Sequence, residues 1–406
     1  MLPLSANRAT LGVLAITQLI SWGSIYYAFS ILAPSIQRDL GLGPAAIFGA
    51  FSWSLLVSGM LAPPVGILLD RIGGRVVMGT GSAVGAVGLT MLSQANSGIV
   101  YLAAWTVLGA SMALVLYEAA FATINREFDL NPRKGISTLT LFAGFASTLF
   151  WPLTLKLDSM FGWRHTYLIY AVLQLALCLP LHACLTVRGR GAAVASLQAN
   201  TVQSFTLREA IRHSVFWWLA AAFATNSFVF SALSVHLIPL LHRFGHPMAT
   251  AVLFASLIGP LQVAGRIGEM LYAHRSRPRT VGLITFATLP IALAGLFLLG
   301  QREWVAAGFC LLYGLSNGLL TIVRGTIPQE LFGRENYGAI SGALSAPSLF
   351  FKALGPMVVA GVMAGEQPER LVVALLLWSS IVSLLAYWQA VRQARARPAP
   401  AALKPR

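Results

Sequence analysis

Apolar stretches of about 20 residues recur along the whole chain and constrain its fold more than any other feature. Short loops separate them and carry most of the charged residues. Because about 20 residues of α-helix cross the apolar core of a bilayer, the pattern predicts transmembrane helices, not a β-barrel. Only 10% of the 406 residues are charged and 57% are hydrophobic, which excludes a soluble globule of this length.

The apolar stretches predict an all-α membrane protein with twelve spans. The predicted spans are 11–33, 46–69, 76–95, 99–122, 136–156, 165–187, 215–239, 249–272, 280–300, 304–325, 338–363 and 368–391. The longest loop lies near the midpoint of the chain. The predicted parts are an N-terminal six-helix bundle over 1–187, a cytoplasmic linker over 188–214, a C-terminal six-helix bundle over 215–391 and a cytoplasmic tail over 392–406.

The basic residues predict an orientation in the membrane. If both termini are cytoplasmic, 20 of the 28 Lys and Arg residues face the cytoplasm and six face outward, while Arg266 and Lys352 fall inside spans. This asymmetry predicts a multi-pass protein of the cytoplasmic (inner) membrane with both termini in the cytoplasm. The net charge of +15 is spread over the loops, so it does not indicate a nucleic-acid partner.

Two sequence segments recur in the second half of the chain. YAFSILAPSIQRDLG at 27–41 returns as FSALSVHLIPLLHRFG at 230–245, and NREF at 125–128 returns as QELF at 329–332. Both pairs end 204 residues apart. Two six-helix pseudo-repeats are typical of carriers that alternate access to a site at the middle of the membrane.

Other chemistries find no support in the sequence. The three cysteines, Cys178, Cys184 and Cys310, lie in apolar stretches and indicate neither a disulfide framework nor a metal site. No phosphate-binding loop, paired-histidine motif or nucleophile elbow is present. We therefore expect no cofactor, no metal and no enzymatic activity.

The loop between the second and third spans reads GILLDRIGGR and includes Gly66, Asp70, Arg71, Gly74 and Arg75. Glycines allow a tight turn, and an acid beside basic residues can form a latch that opens in another conformation. This motif resembles the signature loop of the major facilitator superfamily, and the resemblance extends over the whole chain. It implies that these residues help to hold the two bundles together. The simple alternative is an ordinary basic cytoplasmic loop.

Other segments indicate a branch of that superfamily. Trp105 stands near the place where drug/proton antiporters carry an arginine, and GFASTLFWP at 144–152 lacks their Gly-Pro pair. In contrast, SWGSIYYAFSILAP at 21–34 and LQVAGRIGEM at 261–270 are similar to the monocarboxylate and oxalate/formate carriers. That branch has an arginine in the eighth span that binds the substrate carboxylate, and Arg266 stands at the matching place.

Arg266 is a permanent charge inside a predicted span, which is costly unless an acid or an anionic substrate pairs with it. A guanidinium group holds a carboxylate through two parallel hydrogen bonds, which favours a substrate-binding role. Two alternatives remain. The side chain could reach the cytoplasmic surface, or it could pair permanently with Glu269 one turn away.

Lys352 lies about fourteen residues into the eleventh span, too deep to reach the surface easily. We predict that it is a second anion-binding charge. Oxalate-type members of the branch have a lysine in this span, but alignment of Asn-Tyr-Gly at 336–338 places Leu344 at that position. The alternative is a neutral or hydrogen-bonded lysine between helices.

Glu118 is the only acid well inside a predicted span. Exclusion of water favours the protonated form of a carboxyl group, so Glu118 is the candidate proton-coupling residue. The alternatives are a static partner of Arg324 or Arg266, or a residue at the surface end of the helix. Tyr26 stands where some proton-linked monocarboxylate carriers have a lysine.

Six further polar residues lie on the first, fourth, seventh and tenth spans, which line the central cavity in this superfamily. They are Tyr26, Tyr27, Tyr117, Asn226, Tyr313 and Asn317. We predict that they contact the substrate. Hydrogen bonding between packed helices is the alternative for each.

The sequence thus predicts a monomeric secondary carrier that moves a small organic anion, most simply a monocarboxylate, together with a proton. Its partners would be the substrate, the proton and the lipid bilayer. One alternative is an exporter of hydrophobic or cationic compounds, for which the cavity aromatics would form the contact surface. Another is a sensor that binds its ligand without transport.

Overall fold

The computed structural model describes residues 4–128, 131–185, 204–272, 277–363 and 368–395, and every element in these ranges is helical. We call 4–185 the N half and 204–395 the C half. The N half contains α1 (Leu4–Ser21), α2 (Ala28–Leu40), α3 (Pro44–Ile72), α4 (Gly74–Ser93), α5 (Gly98–Val115), α6 (Tyr117–Glu127), α7 (Pro132–Ala143), α8 (Ala146–Leu173) and α9 (Leu179–Ala183). Two π-helical segments, Trp22–Tyr27 and Gln174–Cys178, join α1 to α2 and α8 to α9. The C half contains α10 (Leu207–Arg212), α11 (Ser214–Arg243), α12 (Met248–Tyr272), α13 (Pro278–Leu299), α14 (Glu303–Phe332), α15 (Tyr337–Met363) and α16 (Pro368–Arg395).

Eleven continuous helical segments among these residues are long and apolar enough to cross a membrane. One of them, Pro132–Ala183, has 52 residues, and its backbone leaves the helical conformation at Gly162 with φ 76° and ψ 165°. The predicted spans 136–156 and 165–187 lie on the two sides of this break. The prediction of an all-helical protein with about twelve apolar helices is confirmed, whereas the duplication of six helices stays a prediction.

The predicted linker is described only in part, because 188–203 lie outside the described residues. In the remainder, α10 begins with a reciprocal cap in which the N–H of Glu209 donates to Thr206 Oγ1 at 3.2 Å and the N–H of Thr206 donates to Glu209 Oε2 at 2.8 Å. The backbone and hydroxyl donors of Thr206 lower the pKa of the Glu209 carboxyl group. Of the predicted tail, 392–395 continue α16 and 396–406 are outside the described residues.

Each half has its own apolar interior. Trp105 and Tyr167 are buried in the N half, and Phe309 and Leu293 are buried in the C half. Large apolar side chains also point outward, for example Ile99, which is 83% exposed. Such an apolar exterior suits a lipid environment and would be unfavourable in water.

The two halves meet mainly where α3 packs against α15, and smaller contacts join α6 to α15 and α7 to both α12 and α14. The first contact depends on small residues. A Cβ atom on Gly66 would lie 2.0 Å from the carbonyl oxygen of Gly338, and one on Gly342 would lie 2.2 Å from the carbonyl oxygen of Ala62. The backbones of α3 and α15 therefore approach as closely as they do only because side chains are missing at these positions.

Candidate substrate-binding site

Two local departures from α-helix shape the middle of the N half. The segment Trp22–Tyr27 is π-helical, and Leu116 has an extended backbone with φ −79° and ψ −164° between α5 and α6. Gln18 donates a hydrogen bond to the carbonyl oxygen of Val115 beside this break. π-Helical turns and interrupted helices redirect side chains, and here they turn Tyr117 towards the rings of the first span.

Five aromatic side chains from three parts of the N half form what we call the ring cluster. They are Trp22, Tyr26, Tyr27, Tyr117 and Trp151. The ring centroids of Trp22 and Tyr117 are 4.9 Å apart, those of Tyr26 and Tyr27 are 5.3 Å apart, and those of Tyr27 and Trp151 are 6.0 Å apart. These separations are typical of interacting aromatic pairs. The structure thus brings together three of the predicted tyrosines.

Arg266 lies beside the ring cluster from the opposite half. Its side chain is buried, with 6% of the residue exposed, and Nη1 donates to the carbonyl oxygen of Thr140 at 2.8 Å. Its Nε is buried without a hydrogen-bond partner among the described residues. The guanidinium group interacts electrostatically with Tyr27 and Tyr117. Arg266 does not reach the surface in this structure, contrary to one alternative.

The other alternative for Arg266 was a pair with Glu269. The structure gives Glu269 different partners, because Arg133 Nε lies 2.8 Å from Glu269 Oε1 and Ser137 Oγ donates to Glu269 Oε2 at 2.6 Å. Both partners belong to α7, so Glu269 joins the two halves. The carboxylate of Glu269 is thereby occupied, and Arg266 forms no ion pair with an acid within the described residues.

Lys352 is the second cation at the ring cluster. Its Nζ lies 4.6 Å from the centroid of the Tyr26 ring, an arrangement that stabilises a cation through the ring quadrupole. The backbone carbonyl of the same residue accepts a hydrogen bond from Ser231 of α11. Lys352 therefore bridges the halves by a cation–π contact.

Glu118 lies in the first turn of α6, directly after the break at Leu116. Ser345 Oγ of α15 donates to Glu118 Oε1 at 3.2 Å. Glu118 also interacts electrostatically with Arg324 of α14, whose Nη2 is buried without a partner among the described residues. The carboxyl group thus faces the C half and is not at a surface end of its helix.

The three remaining predicted residues lie elsewhere. Tyr313 is buried in the core of the C half, where it stacks on Phe309 with centroids 5.7 Å apart and donates to the carbonyl oxygen of Phe230 at 3.3 Å. This geometry supports a packing role. Asn226 is buried in α11, Asn317 is half-buried in α14, and neither side chain makes a hydrogen bond within the described residues.

Asp70 holds the halves together, but through other partners than the sequence indicates. Its Oδ1 and Oδ2 accept the backbone N–H groups of Gly338 and Ala339 at 2.9 and 2.8 Å. These N–H groups lie in the first turn of α15, where the helix dipole favours a negative charge. Arg71 and Arg75 are exposed and form no ion pair with Asp70.

Gly74 of the signature loop also makes a close contact. A Cβ atom on Gly74 would lie 2.1 Å from Thr123 Oγ1, so Gly74 packs within the N half. Gly66 packs against α15 as described above. The motif thus contributes an acid and a close helix contact to the junction of the halves, and its arginines remain outside it.

A second contact between the halves places a cation at the C-terminal end of a helix. The residue that makes it is one that the sequence did not identify. Arg334 donates to the carbonyl oxygen of Asn125 at 2.7 Å and to that of Phe128, at the C-terminal end of α6. The helix dipole favours a cation at this C-terminal end, just as it favours an anion at the N-terminal start of α15. The sequence signal that could have identified Arg334 is its position just before the Asn-Tyr-Gly run. Trp22 and Ser345 were missed because only packing shows what they face.

The helices, the apolar exterior and the charged, aromatic site between two halves define a polytopic membrane transporter. A family model, Major Facilitator Superfamily, matches residues 14–356. The oxalate:formate antiporter of Oxalobacter formigenes is 24% identical over 371 residues, which cover 87% of this chain and 86% of that protein. Monocarboxylate transporter 3 of Rattus norvegicus is 24% identical over 354 residues, 81% of this chain and 68% of that one.

Solved structures agree on the fold. The human organic anion transporter MFSD10 (TETRAN) superposes with a TM-score of 0.70 at 17% identity over 95% of this chain and 99% of that one. The proton:xylose symporter XylE bound to 6-bromo-6-deoxy-D-glucose gives 0.72 at 12% identity over 95% and 96%. The chain belongs to the Major Facilitator Superfamily, and its members are transporters, not enzymes.

Proposed function

We propose that the protein is a proton-coupled secondary carrier for a small organic anion, most simply a monocarboxylate. The observation that carries the proposal is Arg266, a buried guanidinium group whose Nε has no partner among the described residues. An unpaired charge inside a membrane costs several kcal/mol, and an anionic substrate would offset that cost. Lys352 supplies a second positive charge close to the same rings.

The relatives agree with this substrate class. The names of the two relatives described above specify oxalate and formate in one case and monocarboxylates in the other. A planar guanidinium fork binds a carboxylate with defined orientation, which suits selection among small anions. For the alternative, an exporter of hydrophobic or cationic compounds, the excess of positive charge around the site disfavours cationic substrates.

Proton coupling is assigned to Glu118 in this proposal. A protonated Glu118 leaves the positive charge of Arg324 uncompensated, so anion binding becomes more favourable when the proton is bound. When Glu118 is ionised, the pair with Arg324 is favoured and the anion is released more readily. This reciprocity would couple the two solutes without direct contact between them.

Alternating access would open and close the two ends of the junction between the halves. We call the end that holds Asp70 the Asp70 end and the other the Gly41 end. Within the described residues, the hydrogen bonds between the halves run from the middle of the molecule to the Asp70 end. If the termini are cytoplasmic, as the basic residues predict, this is a conformation closed to the cytoplasm.

Uptake of labelled lactate and benzoate into proteoliposomes tests the proposed function. We expect an inward proton gradient to increase uptake, and Arg266→Ala to abolish it because the anion loses its buried counter-charge. Arg302→Ala is the matched control, since Arg302 is exposed in a loop. Gradient-independent transport that survives Arg266→Ala would refute the proposal.

A further inference from the structure

The ring cluster is a larger aromatic surface than a small aliphatic acid requires. Besides the pairs given above, the centroids of Trp22 and Tyr27 are 5.9 Å apart and those of Trp22 and Tyr26 are 5.1 Å apart. Trp151 is 44% exposed, and the other four residues are partly exposed. Rings that remain accessible can stack on a ligand, whereas the buried stack of Tyr313 and Phe309 in the C half cannot.

The ring cluster and Arg266 carry hydrogen-bond donors that lack acceptors within the described part of the chain. Trp22 Nε1 and Arg266 Nε are buried with no partner among the described residues. Indole and guanidinium N–H groups can only donate. The hydroxyl groups of Tyr27 and Tyr117 likewise form no hydrogen bond within these residues. A ligand rich in acceptors, such as a carboxylate, satisfies the two N–H groups, whereas a cation does not.

The cations and the rings come from different halves. Arg266 comes from the C half and interacts electrostatically with Tyr27 and Tyr117 of the N half, so a carboxylate bound by its guanidinium group would lie within electrostatic range of these tyrosines. Lys352 already occupies the face of the Tyr26 ring, with Nζ 4.6 Å from the centroid. A second carboxylate on the ligand would have to displace that contact. The arrangement therefore favours a ligand with one carboxylate and one apolar group.

We infer that the site prefers an aromatic monocarboxylate, whose carboxylate pairs with Arg266 and whose ring packs against the ring cluster. The inference rests on the proposed function and narrows its substrate class. Aromatic rings attract one another in offset and edge-to-face arrangements beyond the effect of area alone. The ligand would thereby bridge the N half through its ring and the C half through its charge.

Competition binding to the full-length protein in lipid nanodiscs tests the inference. Labelled benzoate is displaced by unlabelled benzoate, cyclohexanecarboxylate, acetate or oxalate. Cyclohexanecarboxylate matches benzoate in size and charge but lacks a π-system. We expect benzoate to bind about threefold to tenfold more tightly than cyclohexanecarboxylate, the range that one aromatic pair supplies, and acetate and oxalate to bind more weakly still.

The Tyr117→Leu variant should reduce the ratio of benzoate to cyclohexanecarboxylate affinity to near unity, because it removes a ring and keeps an apolar side chain. Trp304→Leu is the control, since Trp304 is 70% exposed and remote from the cluster, and should leave the ratio unchanged. The ratio is measured within one preparation, so a lower yield of folded variant does not alter it.

Two results would count against the inference. If the wild-type protein binds acetate, oxalate or cyclohexanecarboxylate as tightly as benzoate, the preference for an aromatic ring is refuted while the proposed anion carrier stands. If radiolabelled lactate, acetate, oxalate and benzoate all fail to bind when offered directly, both the inference and the proposed function are refuted.

Discussion

At the scale of single residues, the buried charges around the middle of the membrane are the features that need partners. Arg324 Nη2 is buried without a hydrogen-bond partner among the described residues, and the guanidinium carbon lies 5.7 Å from the centroid of the Phe223 ring. A cation–π contact offsets only part of the desolvation cost. Glu118 is the acid that interacts with it, and Ser345 orients the carboxyl group. This pair gives the proposed proton coupling a physical basis.

Replacement of Glu118 by Gln keeps the shape of the side chain and removes its ionisation. We expect Glu118→Gln to abolish substrate accumulation driven by a proton gradient, since no proton can be taken up with the anion. Exchange of labelled for unlabelled substrate at equal concentrations should persist. Both are measured in proteoliposomes, with Glu303→Gln as the control because Glu303 is exposed. Gradient-driven accumulation by Glu118→Gln would assign coupling to another group.

At the scale of elements, the contact between α3 and α15 determines how closely the halves approach. The Cβ position of Gly66 lies 2.0 Å from the carbonyl oxygen of Gly338. The obstacle is backbone, so it cannot move aside as a flexible side chain could. The same two helices carry Asp70 and its N–H donors, which require this approach for their hydrogen bonds of 2.9 and 2.8 Å.

Gly66→Ala should therefore destabilise this conformation, by about 1–3 kcal/mol as for overpacked interiors. The measurement is the apparent melting temperature of the purified protein, which we expect to fall. Gly308→Ala is the matched control, since a Cβ atom there meets nothing within 4 Å. An alanine at Gly308 should leave the melting temperature unchanged or raise it. Equal melting temperatures for both variants would contradict the packing argument.

At the scale of the whole molecule, three contacts of complementary charge close the Asp70 end. Asp70 binds the N-terminal end of α15, Arg334 binds the C-terminal end of α6, and Arg133 pairs with Glu269. Each joins one half to the other. Because all three lie at the same end, rotation of one half against the other would break them together, which suits a transition between two discrete states.

Asp70→Asn should shift the population towards a state open at the Asp70 end, because the helix N-terminus loses a negative charge worth about 0.3–2 kcal/mol. Pulsed EPR between spin labels at Ser159 and Glu303, which are exposed at the Gly41 end of the two halves, measures the shift. We expect the mean distance to shorten as that end closes.

Arg71→Gln is the control for this experiment, because Arg71 is exposed and forms no ion pair among the described residues. Its distance distribution should match that of the wild-type protein. If Arg71→Gln shifts the distribution and Asp70→Asn does not, the motif acts through its arginine, as the sequence alone suggested.

The sequence by itself determined the fold class, because runs of apolar residues leave a helix in lipid as the favourable solution. It also identified Arg266 and Lys352, since a charge in an apolar run is visible without coordinates. Tertiary structure decided their partners. Glu269 is one turn from Arg266 in sequence but pairs with Arg133, and Asp70 binds backbone groups of Gly338 and Ala339. Backbone donors and contacts between distant helices leave no trace in composition or periodicity, so only packing could reveal them.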